Sequence, residues 1–226
     1  MRARQVEINI GSPARPLVLE GELHIPETGS GLVLFAHGSG SSRHSPRNQF
    51  VARLIREAGI GTLLFDLLTT REGALDELTR HLRFDIGLLA ERLMAVTRRV
   101  TQEEETRHLC PGYFGASTGG GAALVAAAQL GPLVGAVVSR GGRPDLAGDA
   151  LPRVKSPVLL IVGGNDDVVI RLNRQAYEQL RCEKELTIIP GASHLFEEPG
   201  TLAEVARVAA DWFSRHLRPR DAAAGG

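Results

Sequence analysis

Short apolar runs alternate with longer amphipathic segments along most of this chain. Residues 32–35 and 158–162 are apolar at every position rather than at every second one. Strands of this kind are buried on both faces, as in a parallel sheet that is covered by helices on both sides. Because such strands alternate with helices here, the pattern predicts an α/β fold with a doubly wound, mostly parallel central sheet.

The predicted elements continue this pattern from one end of the chain to the other. Two alternating segments, 6–10 and 17–24, predict an antiparallel opening pair joined by a Gly-Ser-Pro turn. Further strands are predicted at 31–36, 61–65, 111–114, 134–139, 158–162 and 186–189. Helices are predicted at 46–58, 84–100, 118–130, 172–180 and 202–217, with an irregular stretch through Pro152. We therefore expect one domain over 1–220, with about eight strands, and a disordered tail at 221–226.

Composition and charge argue against several classes of protein. The 226 residues include 26 Lys and Arg and 26 Asp and Glu, so the formal net charge is zero. That balance gives no electrostatic reason to expect nucleic acid or an anionic membrane as a partner. The start of the chain lacks the apolar core of a signal peptide, and Cys110 and Cys182 have no metal-type spacing. We expect a cytoplasmic protein that binds a small molecule, and its oligomeric state stays open.

The most informative motif is Gly-Ala-Ser-Thr-Gly at 115–119, between a predicted strand and a predicted helix. A Gly-x-Ser-x-Gly at such a joint is typical of a nucleophile elbow, in which Ser117 adopts a strained backbone and exposes its hydroxyl. Gly115 and Gly119 provide the space that a close approach of strand and helix needs. The N–H of Thr118, at the start of the helix, is placed to stabilise an oxyanion. The motif alone is only moderately specific, since glycine-rich helix starts also serve packing.

Two further polar residues follow other predicted strands, Asp166 after 158–162 and His194 after 186–189. Carboxyl ends of parallel strands share one edge of the sheet, so both residues are expected near Ser117. An imidazole activates a serine by taking its proton, and a carboxylate fixes the imidazole's tautomer. Other interpretations are that Asp166 is a turn former or helix cap, that Asp167 is the acid, and that His194 is an ordinary loop histidine. The three residues in this order favour the catalytic interpretation.

A second loop completes the candidate site, His-Gly-Ser-Gly-Ser at 37–41, directly after the strand at 31–36. We expect Ser39 to supply the second oxyanion N–H and His37 to pack the loop rather than act as a base. His44 either is exposed or lines the entrance of the pocket. Arg140, just past its predicted strand, either forms a salt bridge within its loop or orients an acidic or polar acyl group.

These motifs, together with 139–144, 163–166 and 191–196, resemble those of the α/β-hydrolase superfamily, and within it the dienelactone-hydrolase-like group. The resemblance spans about 17–217 and implies an α/β-hydrolase fold with helices on both faces of the sheet. True dienelactone hydrolases carry a cysteine nucleophile, whereas this chain has Ser117, and Cys110 precedes its predicted strand. The resemblance therefore favours a serine esterase over an enzyme for dienelactones.

The connection from Arg140 to Ser156 is too short to contain a large cap domain. We expect an open pocket, although the segment 67–82 is long enough to fold over the site. The sequence as a whole favours a serine hydrolase that cleaves small carboxylic esters through an acyl-enzyme, without a cofactor or a metal. The alternatives are an acyltransferase that uses the same residues and a non-catalytic binding module on the same fold.

Overall fold

The computed structural model describes residues 1–12, 14 and 16–219. The strands in chain order are β1 (Arg2–Asn9), β2 (Val18–Ile25), β3 (Gly31–Ala36), β4 (Gly61–Phe65), β5 (Cys110–Ala116), β6 (Ala136–Arg140), β7 (Val158–Gly163) and β8 (Lys184–Ile189). The helices are α1 (Pro46–Glu57), α2 (Thr70–Thr79), α3 (Ile86–Val100), α4 (Thr118–Leu130), α5 (Asp167–Gln179) and α6 (Thr201–His216). Short 3-10 helices lie at Leu82–Phe84, Gly131–Leu133 and Pro144–Arg153. The predicted tail at 221–226 lies outside the described residues.

The eight strands form a single sheet in the order β1-β2-β4-β3-β5-β6-β7-β8. The pairs β1–β2 and β2–β4 are antiparallel, and every pair from β4 through β3 to β8 is parallel. The predicted fold class, including the antiparallel opening pair, is therefore confirmed. The order also places β5, which leads to Ser117, in the middle of the parallel part.

The sheet is buried on both faces, because one hydrophobic core lies on each side of it. In β3, Leu34 packs into one core with residues of α3 and α4. Its neighbours Val33 and Phe35 pack into the other core with residues of α1 and α6. All six residues of β3 and all six of β7 are buried. This burial explains why the strands are apolar throughout instead of alternating.

Several element boundaries differ from the sequence-based predictions. Helix α5 begins at Asp167 rather than at 172, because the Asp166 side chain accepts a hydrogen bond from Val169 N and caps the helix. Helix α2 was not predicted, since it exposes Leu78 and has a weak apolar face. Cys110 is the first residue of β5 rather than preceding the strand. The stretch expected to be irregular contains the 3-10 helix Pro144–Arg153.

Within the described part of the chain, every helix is too short or too polar to cross a membrane.

Candidate active site

Ser117 occupies a strained turn between β5 and α4. Its backbone has φ 49° and ψ −120°, a conformation that costs a non-glycine residue about 1–3 kcal/mol. Three hydrogen bonds hold it there: Ser117 N donates to Arg140 O at 3.3 Å, and Gly120 N and Arg143 N each donate to Ser117 O at 3.0 Å. The turn therefore has the backbone geometry that the sequence motif predicted for a nucleophile elbow.

The glycines on either side of Ser117 are required by close packing. A Cβ on Gly115 would lie 2.6 Å from Gly119 O, and a Cβ on Gly119 would lie 2.1 Å from Ala36 O. Neither position has room for a side chain, because the neighbouring atoms belong to the backbone. The sequence-based reason for these two glycines is confirmed.

His194 and Asp166 are joined by a hydrogen bond of 2.7 Å between Nδ1 and Oδ2. The other oxygen of Asp166 accepts from Val169 N at 3.3 Å, so this residue is both a helix cap and the partner of His194. Asp167, the first residue of α5, is exposed. The Asp166 side chain is 16% exposed and that of His194 is 40% exposed, which leaves the imidazole accessible while its partner is shielded.

Residues 140–141 connect the serine turn to the histidine. Arg140 O accepts from Ser117 N, and a Cβ on Gly141 would lie 3.5 Å from His194 Cε1. Within the described residues, no hydrogen bond joins the Ser117 hydroxyl to His194. Hydrogen bonds between a nucleophile and its base are often looser before substrate binds. Because Nδ1 contacts Asp166, Nε2 is the ring nitrogen of His194 that lacks a hydrogen-bond partner among the described residues.

The loop after β3, residues 37–43, lies against the serine turn, and we call it the β3 loop. A Cβ on Gly38 would lie 3.1 Å from Ser117 Cβ. His37 Nε2 accepts from Leu67 N at 3.1 Å, so Nδ1 carries the proton and donates to Gly38 O at 3.0 Å. Burial lowers the pKa of His37, which keeps the ring neutral. The backbone N–H of Ser39 donates none of the hydrogen bonds found among the described residues.

Arg140 is a buried cation without a carboxylate partner. It is 6% exposed, its Nη2 donates to Asn48 Oδ1 at 3.4 Å, and its guanidinium lies 5.7 Å from the centre of the Phe196 ring. Its Nε has no acceptor among the described residues. Burial, with a smaller contribution from Arg47, lowers the pKa of Arg140 to about 10. The alternative that Arg140 forms a loop salt bridge is wrong, since none of the described ion pairs includes it.

Sequence reasoning missed Asn48 and Phe196 as neighbours of Arg140. Phe196 also has a positive φ of 57°, which is unusual for an aromatic residue. Phe196 could have been expected near the site only from its position two residues after His194. Asn48 lies 92 residues from Arg140 and gave no signal.

A cavity of about 610 Å³ lies beside the β3 loop, and we call it the β3 cavity. Its walls come from the β3 loop, the segment after β4, one side of α2, and the side chains of Glu20, Arg83 and Leu89. Part of the segment 67–82 thus lines this cavity, whereas Ser117, Asp166 and His194 are not among its lining residues. His44 is exposed and is not among the residues that line the cavity. Across the described residues, no cluster of three or more His, Cys, Asp or Glu side chains is arranged to hold a metal ion.

Known proteins provide an independent comparison for this geometry. The model of the dienelactone hydrolase family matches residues 69–218. A dienelactone hydrolase from Anabaena variabilis is 57% identical, with a TM-score of 0.92, and the match covers 96% of this chain and 100% of that one. The esterase domain of a Rhodothermus marinus protein is 21% identical, with a TM-score of 0.71 and coverage of 96% and 99%, a likeness of fold.

A curated relative from Mycobacterium tuberculosis, provisionally named a phosphoribosyl transferase, is 54% identical over 217 residues. The match covers 96% of this chain but 47% of that relative. The chain thus spans about half the length of the curated relatives it matches.

Proposed function

The chain belongs to the dienelactone hydrolase family, and we propose that it is a serine hydrolase that cleaves small carboxylic esters. Family membership identifies a hydrolase; the ester bond and the serine chemistry are our proposal. The observation that carries it is the strained turn at Ser117, whose N–H donates a hydrogen bond to Arg140 O. The residue after Arg140 packs near His194, and His194 is hydrogen-bonded to Asp166.

In the proposed reaction, His194 Nε2 takes the hydroxyl proton as Ser117 Oγ attacks the acyl carbon. Asp166 holds the Nδ1 proton and stabilises the imidazolium. The N–H groups of Ser39 and Thr118 stabilise the oxyanion of the tetrahedral intermediate. His194 then returns the proton to the leaving oxygen, and the resulting acyl-enzyme is cleaved when His194 activates water in the same way.

Arg140 is proposed to orient an acidic or polar group of the substrate. A buried guanidinium without a carboxylate partner is costly, because its charge has lost water and gained little in exchange. The unpaired Nε and the position at the end of β6, one residue before Gly141, support a role at this site. His44, which is exposed, is a weaker candidate for substrate contact.

The experiment that tests the proposal is covalent labelling by a fluorophosphonate together with turnover of p-nitrophenyl acetate. We expect labelling and turnover by the wild-type chain, and loss of both in Ser117→Ala with an unchanged melting temperature. Loss of a nucleophile costs many orders of magnitude in rate. Turnover by Ser117→Ala within tenfold of the wild-type rate would refute the assignment.

Two other activities are outcomes of the same set of assays. Formation of a new ester or amide when alcohol or amine acceptors are added, in preference to free acid, would identify an acyltransferase. Release of pyrophosphate from phosphoribosyl pyrophosphate, insensitive to Ser117→Ala, would instead assign to this chain the activity for which the Mycobacterium relatives are named. A chain that neither labels, nor turns over any ester, nor releases pyrophosphate would favour the binding module.

A further inference from the structure

The proposed reaction needs a fixed distance between the Ser117 turn and the pair formed by Asp166 and His194. These groups lie on different elements, since Ser117 follows β5, Asp166 caps α5 and His194 follows β8. The described hydrogen bonds include none between Ser117 and His194. Other groups must therefore hold the serine turn in place relative to the pair.

The segment 140–143 holds the serine turn from both sides. Arg140 O accepts from Ser117 N at 3.3 Å, and Arg143 N donates to Ser117 O at 3.0 Å. Ser117 has a strained φ of 49°, and such a conformation persists only where the surrounding structure fixes it. The position of the segment thus determines where the Ser117 hydroxyl points.

The segment leaves the sheet at Gly141, whose N–H donates to Ile161 O of β7 at 2.7 Å. One described side-chain hydrogen bond reaches the backbone of the segment, from Asn173 Nδ2 to Gly142 O at 3.0 Å. A Cβ on Gly142 would lie 1.8 Å from Ser139 Oγ, so the backbone there also packs closely on β6. The Asn173 amide is therefore the side-chain contact that ties this part of the segment to α5.

The same amide nitrogen contacts the first turn of the helix that carries the acid. Asn173 Nδ2 also donates to Val169 O at 2.8 Å, and Val169 N donates to Asp166 Oδ1 at 3.3 Å. The other oxygen of Asp166 contacts His194. A chain of hydrogen bonds therefore runs from the serine turn, through the segment 140–143 and this amide, to the acid.

Burial makes the Asn173 side chain costly if it serves packing alone. It has no exposed surface, and its Oδ1 has no partner among the described residues. A buried polar atom without a partner costs free energy, and leucine or alanine is a better helix former than asparagine. The two bonds from Nδ2 are what this side chain contributes, so its donor matters more than its volume.

We propose that Asn173 is a positioning residue, which fixes the distance between Ser117 and the pair of Asp166 and His194 without touching the substrate. This inference rests on the proposed function, because it assumes that Ser117 transfers its proton to His194. Without the amide, Gly142 O loses its donor and the segment 140–143 can shift. A misplacement of about 1 Å costs up to about 100-fold in rate, whereas substrate binding changes little.

The test compares the wild-type chain with Asn173→Leu and Asn173→Ala. Both lack the amide donor, and alanine adds no bulk to the buried position and favours the helix. Leu180→Ala is the matched control, because Leu180 is buried at the end of α5 and has no contact with the amide that would be tested. It should lower the melting temperature by about 5–15 °C.

Two rates are measured well below the melting temperature of each protein. Single-turnover release of p-nitrophenol from p-nitrophenyl acetate, with excess enzyme, gives the acylation rate constant and the affinity for the ester. Fluorophosphonate labelling at several concentrations gives the limiting labelling rate and the affinity for the reagent. We expect both Asn173 variants to lose at least about tenfold in both rates, with both affinities within about threefold. Leu180→Ala should keep all four values within about threefold.

Wild-type rates in folded Asn173 variants would overturn the role of Asn173. An equal loss in Leu180→Ala would also overturn it, because activity would then follow the stability of α5, and so would a loss confined to the affinities. Failure of both Asn173 variants to fold where Leu180→Ala folds would make the amide a requirement of the fold instead. Absence of turnover and labelling in the wild type would refute the proposed function, and this inference with it.

Discussion

Asp166→Asn separates the two roles of Asp166 and is the sharpest test of the site. One oxygen of Asp166 caps α5 by accepting from Val169 N at 3.3 Å, and the other contacts His194 Nδ1 at 2.7 Å. Asparagine keeps one acceptor oxygen and replaces the other by an NH2 donor. If its oxygen stays on the cap, the NH2 group faces Nδ1 and favours the tautomer that carries its proton on Nε2. That tautomer cannot accept the proton of Ser117.

The expected magnitudes differ between activity and stability. The same change of tautomer in a Ser-His-Asp triad lowers kcat about 10,000-fold, or about 5 kcal/mol of transition-state stabilisation. Asparagine caps helices about as well as aspartate, so the free energy of unfolding should change by less than about 0.5 kcal/mol. Asp166→Ala, in contrast, should lose the same activity and also about 1 kcal/mol of stability, because the cap is gone.

The assay is steady-state turnover of p-nitrophenyl acetate combined with urea denaturation of each variant. Asp167→Asn is the matched control, because Asp167 is the exposed neighbour at the first position of α5. It should keep kcat within about threefold and lose at most about 1 kcal/mol through the helix dipole. A large loss of kcat in Asp167→Asn with normal turnover in Asp166→Asn would show that the acid has been assigned to the wrong residue.

Three further predictions concern packing, pH and acyl length. Gly119→Ala should destabilise the fold by more than about 3 kcal/mol, because its Cβ would lie 2.1 Å from Ala36 O, whereas Gly73→Ala should be neutral or stabilising; thermal melting distinguishes them. Because the pKa of His37 is lowered in the folded state, its neutral form contributes stability that is lost as the pH falls below about 6.5. The difference in urea stability between wild type and His37→Asn should therefore shrink from pH 7 to pH 5, and a constant difference would contradict this. Among alkyl esters, acetyl to butyryl should be preferred, with activity falling from about eight carbons and no increase at a lipid–water interface; a steady rise of kcat/KM with chain length would reveal an apolar pocket instead.

The parts of the fold that the sequence predicted are those fixed by local pattern. The parallel strands are apolar throughout because both of their faces are buried, and this makes β3 and β7 visible in the sequence. The sequence pattern did not predict helix α2, because capping hydrogen bonds and an ion pair stabilise it rather than a strong apolar face. Thr69 and Glu72 form a capping box at its start, and Glu72 also pairs with Arg92 of α3 at 2.7 Å. Such a helix has no strong periodicity to detect.

The same distinction applies to the candidate site. Ser117, Gly115 and Gly119 belong to one local turn, so their spacing in the sequence was enough to predict that turn. The sequence analysis weighed Asp166 as either a helix cap or an acid, whereas the structure gives it both contacts. The environment of Arg140 depends on Asn48, which only the folded chain brings near it.

The segment 140–143 links the Ser117 turn to helix α5 through hydrogen bonds. Arg140 O and Arg143 N bind the backbone of Ser117 from both sides. Gly142 O accepts at 3.0 Å from the amide of Asn173, which is buried in α5, the helix that Asp166 caps. One short segment thus connects the serine turn to the helix of the acid, and a domain inserted within it would separate these bonds. The segment after β4 is instead bonded to the β3 loop, since Leu67 N donates to His37 Nε2 and Arg43 N donates to Asp66. Helix α2 follows these bonds and forms a wall of the β3 cavity.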